Sequence, residues 1–168
     1  TIPPINVHIH HVDLTENQRA AAQNLTGGLF VKEAGGIGQR GKLSQISKGN
    51  GKGMESLKYD FIRELVGSWD SSTLIWCHYN DEQDSVNDLF PDGANIDGST
   101  PYDKRRELIA EFKAGTRKTL TSKPKILGFG LNLQIATKQV FSGLQDSYEE
   151  YYQAVKRSNR IGSTQPLD

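Results

Sequence analysis

From residue 73 onward the chain alternates short apolar runs with amphipathic stretches. "TLIWCHY" (73–79) has the length of a strand, and "DEQDSVNDLF" (81–90) begins a helix for which Asn80 or Asp81 is a good cap. "GANIDGS" (93–99) reads as a brief strand and turn, and "DKRRELIAEFKAG" (103–115) as an amphipathic helix closed by Gly115. "KTLTS" (118–122) is a strand ending on small polar residues, and "GFGLNLQIA" (128–136) a glycine-rich turn into a short helical segment. "KQVFSG" (138–143) is a further strand. "DSYEEYYQAVKRSNRIG" (146–162) is a helix with Asp146 or Ser147 as cap and Gly162 at its end. Strands and helices alternating at this spacing predict an α/β, three-layer domain, a mostly parallel sheet with helices on both faces. In such sheets chemistry collects beyond the carboxyl ends of the strands. Residues 122–132, 98–100 and the helix bearing Arg157 and Arg160 are expected to meet there.

The first part is less regular. Alternation over Val7, Ile9 and Val12 predicts a strand, and Thr15 can cap a helix through "ENQRAAAQNL". Residues 27–53 carry nine of the seventeen glycines. This segment is expected to be partly loop or mobile, with "KLSQI" as a short helical island. In "ESLKYDFIRELVGSW" (55–69), Leu57, Phe61 and Leu65 share one helical face with Ile62 and Val66 beside them.

The length, 168 residues, fits one domain with a substantial core. Twenty basic and twenty acidic residues cancel, so binding to a polyanion or membrane has to come from a local patch. One cysteine, Cys77, excludes an internal disulfide and a thiolate zinc cluster. No apolar run approaches the roughly 20 residues of a membrane-spanning helix, and no signal-peptide pattern opens the chain. The expectation is an intracellular protein, cytoplasmic or nuclear/nucleoid, neither secreted nor membrane-bound. The chain starts at Thr1 and stops at "STQPLD", so a piece of a longer polypeptide is expected.

Four groups of residues could carry chemistry. "NDEQD" (80–84) looks like a magnesium-binding acidic pair, but His78, Tyr79 and Asn80 separate it from the apolar strand. No G-x-x-x-x-G-K-[ST] precedes it. Helix caps and solvated charges explain it better. His8, His10 and His11 lack a third metal ligand in view and read as polar strand positions. In "LGFGLNLQ" (127–134), Gly128 and Gly130 either let backbone approach a phosphate or make a tight turn. Arg157 and Arg160, with Gln153 one turn earlier, form a stripe at a helix end. It complements the helix dipole or binds phosphate.

The order of these segments resembles the second RecA-like lobe of superfamily-two helicases, specifically the Swi/Snf-type DNA-translocating ATPases. "QAVKRSNRIG" (153–162) is similar to their motif VI, Q-A-x-x-R-x-x-R-I-G-Q, with Ser163 in place of the closing glutamine. "TSKPKILGFGLNLQIA" (121–136) resembles motif V, S-x-K-A-G-G-x-G-L-N-L, although residues 124–128 depart from its small-residue run. Asp97 to Thr100, Arg105, Ile109 and Phe112 match the family's D-G-S-T segment and the helix after it. "TLIWCHYNDEQD" sits where motif IV does. The resemblance covers nearly the whole chain.

This resemblance implies that residues 1–168 form a helicase C-terminal lobe and act with a first RecA-like lobe. That other lobe would hold most of the ATP and Mg. Arg157 and Arg160 would act as arginine fingers with Gln153 positioning them, and Gly128, Gly130 and Asn132 would lie on the nucleotide side. Ser99, Thr100, Arg105, Ser122, Lys123 and Asn132 would contact the backbone of nucleic acid, with double-stranded DNA as the implied track. The isolated lobe is expected not to hydrolyse ATP. The other reading is a non-catalytic nucleotide- or nucleic-acid-binding scaffold module of the same fold.

Overall fold

A computed structural model describes residues 1–27, 37–49, 55–127 and 131–168. Its four-stranded sheet contains β1 (Thr73–Trp76), β2 (Ala94–Asn95), β3 (Thr119–Ser122) and β4 (Lys138–Phe141) in the order β2-β3-β1-β4. All pairs are parallel, with Leu74 opposite Leu120 and Gln139. The helices are α1 (Glu16–Thr26), α2 (Ile37–Ser47), α3 (Leu57–Gly67), α4 (Asn80–Leu89), α5 (Tyr102–Lys113) and α6 (Tyr148–Val155).

The side-chain period of two sorts β1 between the layers. Leu74 and Trp76 face α5 and α6, packing with Leu120, Leu108, Phe112 and Ala154. Ile75 and Cys77 face α3 and α4, packing with Ile62, Val66 and Val86. Both faces of the central strand are thus apolar, the pattern of a doubly covered parallel sheet. The connection from β3 to β4 contributes Leu127, Leu133 and Ala136 to the α5/α6 layer.

Local signals account for most helix ends. Thr15 and Gln18 form a reciprocal capping box on α1. Ser56 caps α3, Ser147 caps α6, and Gly115, at φ 77°, turns the chain after α5.

Several expectations do not hold. The 7–12 segment is no strand: an isolated parallel bridge joins Ile5 to Leu167, and Val7 and Ile9 are exposed. A strand needs a neighbour, and none lies beside these residues among those described. The buried stripe of α3 is Ile62 and Val66, while Leu57 is exposed. The cap of α4 is Tyr79, not Asn80 or Asp81. In the 27–53 segment, 37–47 form a full helix rather than a loop with a short island; 28–36 and 50–53 lie outside the described residues. No helix forms over the described residues 131–136. The last helix stops at Val155, so Arg157 and Arg160 sit in turns beyond it rather than on a helical stripe.

Candidate functional site

All strands point the same way, so the sheet has a carboxyl end and an amino end. The candidate residues divide between them. Residues following β1, β2 and β3 lie at the carboxyl end. α6 begins there, where Gln145 Nε2 donates to the Cys77 carbonyl at 3.1 Å. It then runs back until Gln139, near the start of β4, donates to the Ala154 and Val155 carbonyls at 3.3 Å. The turn carrying Arg157 and Arg160 therefore lies toward the amino end. The expected meeting of all three segments in one crevice does not occur.

At the carboxyl end, Asp97 organises the turn to Thr100. Its Oδ1 accepts from the Ser99 amide at 2.8 Å, the Ser99 hydroxyl at 2.7 Å and the Thr100 amide at 3.0 Å. The hydrogen bond from the Ser99 hydroxyl is the leading reason that Asp97 titrates below the usual aspartate value. Arg105 clamps the turn from α5, donating to the Thr100, Asp97 and Gly98 carbonyls at 2.8, 3.1 and 3.2 Å. Ser122 is fully buried, and its hydroxyl donates to the Ile96 carbonyl at 2.6 Å. Lys123 is buried with its ammonium on Asn80 Oδ1. Arg105, Ser122 and Lys123 thus brace the fold, and Ser99 is the exposed hydroxyl of this group.

A second buried set lies beside it. Glu82 is fully buried, although the "NDEQD" pattern suggested caps and solvent. The capping half holds: Oε2 accepts from the His78 and Tyr79 amides at 3.0 and 3.1 Å. Oε1 meets Lys58 Nζ at 3.0 Å and the Ser142 hydroxyl at 2.9 Å. Lys58 also donates to the Ser142 carbonyl at 3.0 Å and to the Lys48 carbonyl. Burial lowers the Lys58 pKa, with Glu82 opposing the shift. Burial pushes the Cys77 thiol well up, with the Glu82 charge adding to it, so Cys77 is no nucleophile. A Cβ on Gly143 would collide with the Glu82 carboxylate, which fixes glycine there. Only the helix-start position of Glu82 signalled this network in the sequence; Lys58 and Ser142 carried no signal.

At the amino end, Leu133 and Gln134 dock on backbone carbonyls of the 157–161 turn. The Leu133 amide donates to the Arg157 carbonyl at 2.8 Å, and Gln134 Nε2 donates to the Ile161 carbonyl at 3.0 Å. Asn132 is exposed next to this contact, bonded to Gln134. Gly128 and Gly130 lie outside the described residues. Ser163, standing where the family has glutamine, closes the turn: its hydroxyl donates to the Ser158 carbonyl at 2.8 Å and accepts from the Arg160 amide at 3.1 Å. Arg160 is half-buried, with Nε on the Lys156 carbonyl at 2.7 Å.

Arg157 differs from every cation above. It is 2% exposed, its Nε has no hydrogen-bond partner, and no carboxylate pairs with it among the described residues. Burial, then the neighbouring Arg160 charge, lowers its pKa. A buried, unneutralised guanidinium is costly in a folded chain and is well suited to an anion. Gln153 is half-buried one turn earlier and makes no hydrogen bond among the described residues.

Among the described residues, no group of three or more His, Cys, Asp and Glu side chains could hold a metal ion, and no helix is long and apolar enough to cross a membrane. A search of curated proteins finds no match. Among solved structures, the C-terminal part of the Fun30 ATPase domain aligns with a TM-score of 0.75 at 14% identity, covering 99% of this chain and 84% of that one. Dbp5 from S. cerevisiae, bound to RNA and ADP BeF3, aligns with a TM-score of 0.55 at 21% identity, covering 66% of this chain and 31% of that one. At these identities the likeness shows the shared RecA-like fold. The profile of the helicase conserved C-terminal domain matches residues 57–162, from the start of α3 to the glycine that ends the arginine turn, and the chain belongs to that family.

Proposed function

We propose that this chain is the second motor lobe of an ATP-dependent nucleic-acid translocase of the Swi/Snf type, acting on ATP held chiefly by a first RecA-like lobe. The observation that carries the reading is Arg157, a buried guanidinium with an unpaired Nε beside a second arginine. A polyanion such as a triphosphate supplies the missing acceptors. Bound ATP would bring a phosphoryl group whose oxygens gain charge on transfer. Arg157 and Arg160 neutralise that charge, a role worth on the order of a thousandfold or more in rate for such fingers. Gln153 positions the pair, and Asn132, with Gly128 and Gly130 by the family resemblance, is assigned to the nucleotide side. The magnesium that accompanies ATP is assigned chiefly to the first lobe by the family resemblance.

Nucleic acid would lie at the other end of the sheet, along the exposed Asp97–Thr100 turn, with double-stranded DNA as the track. The exposed Ser99 hydroxyl, which can rotate from Asp97 to a phosphate oxygen, suits contact with a nucleic-acid backbone without reading sequence. Two sites at opposite ends of one rigid sheet also suit a motor, because a lobe closing on nucleotide moves its far end along the track. The isolated chain is expected to lack ATP turnover, its catalytic partner being another lobe.

The test uses Arg157→Met and Arg160→Lys in the two-lobed protein, with turnover, nucleotide affinity and melting temperature measured together. Arg157→Met should keep the melting temperature and lose turnover by about a thousandfold. Arg160→Lys keeps the charge but loses the planar fork and should also fall steeply in turnover. Turnover near wild type in Arg157→Met overturns the finger assignment, whereas a two-lobed wild-type protein without nucleic-acid-stimulated turnover favours a scaffold module.

A further inference from the structure

At Gln139, β4 carries a polar side chain where the sheet period calls for an apolar one. Gln139 pairs with Leu74 across the β1–β4 ladder, so its side chain lies on the α5/α6 face with Leu74, Trp76 and Leu120. The residue is half-buried, and a carboxamide taken out of water is costly unless it is bonded. The Trp76 indole, fully buried and a donor only, gives its Nε1–H to Gln139 Oε1 at 3.0 Å. That bond decides which way the amide lies: its carbonyl faces Trp76, and its NH2 group faces the end of α6.

Three acceptors meet Gln139 Nε2 there: the Ala154 and Val155 carbonyls, each at 3.3 Å, and the Ser158 hydroxyl. The two carbonyls belong to the last turn of α6, where a helix leaves its carbonyls without intrahelical partners. Ser158 lies beyond the helix, in the turn that carries the arginines. The three acceptors therefore bracket Arg157, two before it in sequence and one after. The Arg157 carbonyl itself is taken by the Leu133 amide at 2.8 Å. Among the described residues, Gln139 is the only strand side chain bonded to residues 154–163; the other bonds come from loop segments or from within the turn. Gln139 is thus the link between this turn and the central sheet.

We propose that Gln139 is a positioning residue for the arginine turn, holding Arg157 at a fixed place relative to the sheet. Its consequence for turnover rests on the finger reading above; its hold on Arg157 does not. Arg157 has no carboxylate to orient its guanidinium among the described residues, and its Nε is unpaired. The place of that group is therefore set by where the backbone of 155–158 stands. A leucine or valine at 139 would suit the apolar layer but would hold neither the two carbonyls nor the Ser158 hydroxyl. Displacing a group that acts on reacting atoms by about 1 Å costs on the order of a hundredfold in rate.

The test compares Gln139→Met, which keeps the length of the side chain and removes its four bonds, with Trp76→Phe, which removes the indole donor and leaves the bonds to α6 in place. Turnover and melting temperature are measured in the two-lobed protein. The Arg157 Nε–H resonance, recognised by its loss in Arg157→Met, is read by nitrogen NMR of the 168-residue chain. Gln139→Met should lower kcat by about tenfold to a hundredfold, leave KM for ATP within about twofold, and shift the Arg157 resonance. Trp76→Phe should lower the melting temperature and keep both kcat and the resonance. An unmoved resonance in Gln139→Met overturns the inference, and so does an equal kcat loss in Trp76→Phe, which would make Gln139 merely structural. Wild-type kcat in Gln139→Met beside lost turnover in Arg157→Met also overturns it and leaves the fingers standing. A shifted resonance with wild-type kcat in both Gln139→Met and Arg157→Met supports the positioning and overturns the finger reading instead. Should Gln139→Met fail to fold, Ser158→Ala removes the acceptor that follows Arg157 and should move the same resonance and lower kcat; an unmoved resonance there overturns the inference.

Discussion

Two polar regions of this molecule are buried, and they are finished to different degrees. Around Glu82 every charge is answered: two amides, a lysine and a hydroxyl converge on one carboxylate. Around Arg157 the cation is placed beside another cation, and its Nε is left without an acceptor. A closed network of this kind serves the fold, because each group already has the partner that offsets its desolvation. An open one is unfavourable on its own, and an anion, as in the function proposed above, would offset its desolvation. Burial by itself therefore does not separate structural from functional polar groups in this chain; the state of their partners does.

Breaking the closed network should have the larger effect on stability. Glu82→Ala leaves Lys58 buried without its counter-ion and is expected to cost about 3–5 kcal/mol in urea unfolding. Replacing both partners, Lys58→Met with Glu82→Leu, should recover much of that loss, since no uncompensated charge remains. A double variant as unstable as Glu82→Ala would show that the amide bonds, not the ion pair, dominate.

The Asp97 turn sits between the two extremes, satisfied but close to solvent. Asp97→Asn keeps the shape and loses the charge, and is expected to cost about 1 kcal/mol at pH 7. The sign of its pH dependence follows from the depressed folded pKa. The stability it contributes is present above the ordinary aspartate value of about 3.9 and is lost as pH falls through the lower folded value. Melting temperature against pH should therefore drop less steeply on the acid side in Asp97→Asn than in wild type.

The smallest effect on stability is expected at the open site. Arg157→Met removes a buried cation that no carboxylate answers among the described residues, so urea unfolding should give a free energy at wild type or up to about 1 kcal/mol above it. A large destabilisation there would mean that the guanidinium has structural partners after all, and the contrast with Glu82 would disappear.

Local signals in the sequence determined much of this architecture. The alternation from Thr73 onward specified the strands and the covering helices, because a residue's period in a strand or helix is a property of the chain itself. Thr15, and Asp146 or Ser147, announced helix starts for the same reason: a cap bonds amides two or three residues away. The motif order around Gln153, Arg157 and Arg160 was equally legible as a family resemblance. Tertiary structure decided the rest. Whether Val7 and Ile9 join a sheet depends on a neighbouring strand, which no local pattern encodes. Whether Leu57 or Ile62 is buried depends on which side of α3 meets β1. The roles of Ser122 and Lys123 turned on distant acceptors, the Ile96 carbonyl and Asn80, and Glu82 became a core residue because Lys58 and Ser142 converge on it from other elements. The early end of α6 moved the arginines off a helical stripe and toward the amino end of the sheet. Hydrogen bonding and desolvation act through space, so residues far apart in sequence settled which polar groups were spent inside the fold and which were left open.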